Sequence, residues 1–103
     1  MTRKLVVFVP HDALEQVRDA IFAAGAGRIG GYERCSWYTE GTGTFVAGEG
    51  TSPAIGERGV EERVPETRLE TVFPDDRQEA VLAALRDAHP YEEPAFDVYD
   101  LLA

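Results

Sequence analysis

The 103-residue chain sets ten lysines and arginines against nineteen aspartates and glutamates, for a net charge of -9, and is 44% hydrophobic and 28% charged. That acidic balance repels phosphate backbones and anionic lipids, so neither nucleic acid nor membrane is an expected partner, and no apolar run approaches the roughly 20 residues of a membrane span. The start leads straight into a strand-like segment rather than a signal-peptide core, and the single cysteine, Cys35, fits a reducing, cytoplasmic compartment.

The length suits one domain, residues 1–103, built on one core. Lys4 to Val9 is a nearly unbroken apolar run rich in β-branched residues, which predicts a central strand ended by Pro10. Asp12 is a candidate helix cap with Glu15 in capping-box spacing, and Leu14, Val17, Ile21 and Ala24 form an apolar stripe that stops at Gly25 and Gly27. A second strand is expected from Tyr32 to Thr39, with Cys35 and Trp37 on one face. Six of the ten glycines then fall between Gly41 and Gly59, which predicts a long irregular loop holding a short strand or hairpin at Thr44 to Ala47.

Val64 to Phe73 alternates strictly, placing Thr67, Leu69, Thr71 and Phe73 on one face and a polar row of Glu66, Arg68 and Glu70 on the other. After Pro74, Asp75 or Asp76 is placed to cap a second helix. It runs to about Ala88, with Val81, Leu82 and Leu85 inward, and Pro90 closes it. Phe96 to Leu101 makes the last strand. The βαββαβ order predicts a ferredoxin-like α+β fold: an antiparallel sheet, two helices on one face, and a glycine-rich loop or hairpin between the middle strands. Tyr32, Trp37, Tyr38 and Phe45 exceed the needs of so small a core, which points to self-association.

Gly25-Ala26-Gly27-Arg28-Ile29-Gly30 matches the dinucleotide-binding pattern by letter, but a helix precedes it and a strand follows, the reverse of what a pyrophosphate site needs; it reads as a helix C-cap and turn. His89-Pro90-Tyr91-Glu92-Glu93-Pro94 is a joint whose prolines nearly fix the backbone. The topology brings His11 toward His89, Glu92 and Glu93, a donor mixture suited to zinc or copper under a glycine-rich cover. The alternative is a structural corner with Glu92 and Glu93 solvated or paired with Arg28 or Arg58. Cys35 reads as a buried small hydrophobe. No nucleophile, base and orienter arrangement is evident, and consecutive Glu92 and Glu93 in an extended segment would point to opposite sides, so no catalytic residues are assigned.

Gly25 to Gly30, Tyr32, Cys35-Ser36-Trp37, Gly41 to Phe45, Glu49-Gly50, Pro53, Ile55-Gly56 and the segment from His89 to Tyr99 together resemble the PII-like insert domain of the Nif-three family of dinuclear-metal hexameric proteins. The last segment also resembles the C-terminal part of the CutA family. The resemblance implies a PII-like or CutA-like trimer. It does not carry the family's dinuclear centre, whose ligands sit in flanking domains without counterparts here. The expected function is a non-enzymatic, homotrimeric binding or regulatory module with an unknown protein partner. Alternatives are a divalent-metal protein using His11, His89, Glu92 or Glu93, and a nucleotide-responsive regulator.

Overall fold

The computed structural model describes residues 1–52 and 56–102. Its elements are β1 (Thr2–Pro10), α1 (Leu14–Ala23), β2 (Ser36–Val46), β3 (Glu61–Pro74), α2 (Gln78–Ala88) and β4 (Phe96–Asp100). The strands form one antiparallel sheet in the order β2-β3-β1-β4. This is the ferredoxin-like arrangement that the element order predicts. No helix among the described residues is long and apolar enough to cross a membrane.

Alternation along the strands decides the layers. Leu5, Val7 and Val9 of β1 and Leu69 and Phe73 of β3 meet Val17 and Ile21 of α1 and Val81 and Leu85 of α2 in a single buried cluster. Each such side chain contributes roughly 1.5–3 kcal/mol when taken from water. The intervening residues face the other way. There Lys4 Nζ lies 3.4 Å from Glu70 Oε1 and Arg68 Nε 3.0 Å from Glu70 Oε2. These bonds, that to Arg68 first, hold the Glu70 carboxyl below its usual range. Trp37 pairs with Glu70 from β2, and Tyr99 pairs with Lys4 from β4. Both aromatics are largely exposed, one at each edge of the helix-free face.

The helices begin differently from the capping-box expectation. Short 3-10 turns, His11–Ala13 and Asp75–Arg77, precede α1 and α2, and no side chain of Asp12, Asp75 or Asp76 caps them. The ladders run into Pro10 and Pro74 themselves, so the chain must turn tightly at once, and backbone bonds such as Leu14 N–H to His11 O close the turns. The end of α1 follows the sequence more closely. Gly25 N–H bonds to Phe22 O at 3.1 Å and Ala26 N–H to Ile21 O at 3.0 Å, a Schellman pair, with Gly25 at φ 119°. The glycine motif at 25–30 is thus a cap and turn.

The middle of the chain departs most. β2 is not a strand ending near Thr39 followed by a loop with a separate short strand; it continues without a break through Gly41 and Gly43 to Val46, paired with β3 from Ser36↔Thr71 to Val46↔Glu61. Glycine content alone suggested a loop because it ignores what lies across the ladder. Cys35 precedes β2 and is half-buried rather than enclosed, its N–H donating to Gly27 O at 2.7 Å. Pro53 and Ile55 lie outside the described residues.

Candidate functional site

The corner between α2 and β4 is anchored by His89, which is 5% exposed. Its N–H continues the helix to Leu85 O at 2.9 Å. Ring Nε2 lies 2.8 Å from Phe8 O, which can only accept, so Nε2 donates; Nδ1 accepts the Tyr91 N–H at 3.1 Å. A neutral imidazole thereby uses both nitrogens. Burial pushes its pKa below the ordinary 6.5, against the opposing pull of the Phe8 carbonyl and the Glu66 charge.

With its amide tied to His89, Tyr91 reaches the β2–β3 pair. Its ring lies 5.0 Å from the His89 ring and 6.3 Å from that of Phe45, both tilted. Its hydroxyl donates to Glu66 Oε2 at 3.0 Å. Burial first, then this bond to a carboxylate, raises the phenol well above its usual pKa. Glu66, expected in the solvated row, is instead only 9% exposed. Gly43 makes that possible, because a Cβ built there would collide with the Glu66 carboxylate.

These groups border an open cavity of about 270 Å³ with Phe8, Phe45, Tyr91, Glu66, Glu92 and Glu93 among its lining residues. Glu92 accepts the Ser52 N–H at 3.3 Å. Both adjacent glutamates line one cavity, contrary to the opposite-sides expectation, because residues 90–93 bend instead of extending. Neither makes an ion pair with Arg28 or Arg58 among the described residues.

The zinc or copper set expected from His11, His89, Glu92 and Glu93 is not gathered. His11 Nδ1 lies 2.7 Å from Thr67 Oγ1 and Nε2 3.4 Å from Glu40 Oε1. Thr67 and Glu66 are neighbours in a strand, so their side chains point to opposite faces, and His11 follows Thr67 while the corner follows Glu66. His89 has no free nitrogen. Among the described residues no three His, Cys, Asp or Glu side chains are placed to hold a metal ion. The sequence reading missed Glu66 and Phe8 as site residues and gave Phe45 to self-association. The available signal was Gly43, a glycine inside an otherwise regular strand.

Against protein-family profiles the chain finds no match. It is 56% identical over 99 residues, 96% of its length, to the GTP cyclohydrolase 1 type 2 homolog of Mycobacterium tuberculosis. Among solved structures it is similar to a Bacillus cereus protein related to NIF3, with 49% identity and a TM-score of 0.86 over 99% of this chain and 26% of that one. The CutA periplasmic divalent cation tolerance protein of Archaeoglobus fulgidus is 12% identical with a TM-score of 0.71, over 100% of this chain and 86% of that one, a likeness of fold alone. The resemblance to the Nif-three family and to CutA-like folds therefore holds. The chain spans about a quarter, 26%, of the length of the curated relatives it matches.

Proposed function

We propose that this is a non-enzymatic, cytoplasmic PII-like domain that assembles as a homotrimer and acts by binding. The observation that carries the reading is the distribution of exposed aromatic surface. Trp37 is 59% and Tyr99 49% exposed at opposite edges of the helix-free face, whereas the middle of that face is filled by the Lys4, Glu70 and Arg68 ion pairs. Apolar groups at the rims and a self-satisfied polar centre favour contact edge to edge between copies over stacking of whole faces. The CutA-like fold supports the trimer as the closed form of such contacts.

The corner supports binding over catalysis. Its histidine has both nitrogens committed, and its tyrosine is held protonated, so neither is poised to exchange a proton with a substrate at neutral pH. A divalent-metal role has less support because His89 has both ring nitrogens bonded and, among the described residues, no three His, Cys, Asp or Glu side chains are placed to hold an ion. A nucleotide role has less because the cavity carries three carboxylates and its phosphates would be repelled. Sedimentation equilibrium tests the assembly. A mass three times 11.3 kDa at micromolar concentration is expected, and a stable monomer would reject it.

A further inference from the structure

We infer that the cavity under the His89 corner binds a small organic monocation, an ammonium or guanidinium group carried on an apolar body. The inference deepens the reading of a binding module and does not depend on the trimer. Three observations combine. First, Glu66 is nine-tenths buried, yet its carboxylate receives a single side-chain bond, from Tyr91 to Oε2, and no Lys, Arg or His pairs with it among the described residues. A carboxylate holds about four acceptor sites, so Glu66, which lines the cavity, keeps sites for a donor that enters it.

Second, Glu92 and Glu93 line the same cavity, and among the described residues no basic side chain lines it. The field inside therefore favours a cation, and repels any carboxylate or phosphate. Third, three aromatic residues, Phe8, Phe45 and Tyr91, line the space beside these acids, together with small residues such as Ala47 and Ala95. Ring faces attract ammonium and guanidinium groups and bury the carbon body behind them. Phe8 already serves this way on the sheet, where the Arg68 guanidinium lies 5.7 Å from its centroid.

A hydrated divalent ion is the poorer fit. It demands several oxygen ligands converging at one point, and no such group of three side chains exists among the described residues. A cavity of about 270 Å³ lies near the lower end of ligand-sized clefts, which run from roughly 300 Å³ upward. That sets the ligand as small.

The test is a titration of the full chain, followed by calorimetry and by the resonances of Phe45 and Tyr91. Three probes of one shape are compared: phenethylammonium, the neutral 2-phenylethanol and the anionic phenylacetate. The ammonium is expected to bind about tenfold more tightly than the alcohol, the ratio that a hydrogen bond to a charged group supplies, and the anion not at all. Glu66→Gln should remove that preference. If Glu66→Gln does not fold, the exposed pair Glu92→Gln and Glu93→Gln takes its place, and a weaker hold on the ammonium is expected. Equal binding of ammonium and alcohol, no saturable binding of the ammonium, or affinity untouched by these changes would overturn the inference. So would zinc alone displacing the ammonium in a manner abolished by Glu66→Gln, which would make the site metallic. Mass measured on the same samples separates the two readings: a monomer that binds overturns only the trimer, and a trimer that does not bind overturns only the cation site.

Discussion

Tyr91 joins three parts of the fold: its backbone amide is held by His89, just past the end of α2, its ring packs near Phe45 of β2 and its hydroxyl bonds Glu66 of β3. Tyr91→Phe keeps the ring and removes the donor, leaving a buried carboxylate unsatisfied. It should cost about 1–3 kcal/mol in urea denaturation, and a cost indistinguishable from zero would mean that solvent already serves Glu66. His89 gives a pH prediction. Its folded pKa lies below the ordinary 6.5, so between those two values the unfolded chain binds the extra proton. Stability should be insensitive to this group above 6.5 and should fall as pH drops from there toward the folded pKa. Comparing stability profiles of the native chain and His89→Gln between pH 7.5 and 4.5 checks this: the variant, though less stable throughout, should lack the upper part of the acid slope. The stiffness of this corner was legible in Pro90 and Pro94. Its contents were not, because alternation in β3 says only that Glu66 turns away from the helices and cannot say that a tyrosine from another joint will cover it.

At the scale of elements, the end of α1 depends on α2 as well as on its own glycines. Arg77, at the entry to α2, donates from Nε and Nη2 to Ala24 O at 3.0 and 2.8 Å, taking up a carbonyl that the helix end leaves open. Gly25→Ala meets two obstacles, since φ is 119° and the new Cβ would lie 2.9 Å from Arg77 Nε. A loss of about 1 kcal/mol or more in thermal unfolding is expected, and part of it should vanish when Gly25→Ala is made in an Arg77→Ala background, where only the backbone strain remains. Equal losses in both backgrounds would show that the arginine does not press on this turn. The cap was readable from sequence because a helix with a periodic stripe ended on glycine; the arginine was not, since it comes from a distant part of the chain. β2 shows the converse. Its glycines suggested irregular chain, yet Gly43 is a glycine because a carboxylate occupies the space of its side chain, a fact of the opposite strand rather than of local propensity.

For the whole molecule the acidic balance and the exposed aromatics act against each other, and salt separates them. The chain extends 46 × 25 × 24 Å and carries -9, so bringing copies together concentrates like charge. The proposed association through Trp37 and Tyr99 at the sheet rims would have to overcome that repulsion by burying apolar surface, which salt does not weaken. Raising ionic strength from about 0.01 M to 0.15 M shortens the screening length from roughly 30 to 8 Å, so the proposed trimer should tighten as salt is added, the reverse of an assembly built on ion pairs between copies. Its melting temperature should also rise with protein concentration, because only the folded state is expected to assemble. Trp37→Glu removes the apolar contact and adds charge at the same rim, without touching the helix-packed core. It should leave a folded monomer of 11.3 kDa by light scattering, with a melting temperature independent of concentration. A variant that retains three times that mass would show that the copies meet elsewhere than along the β2 rim.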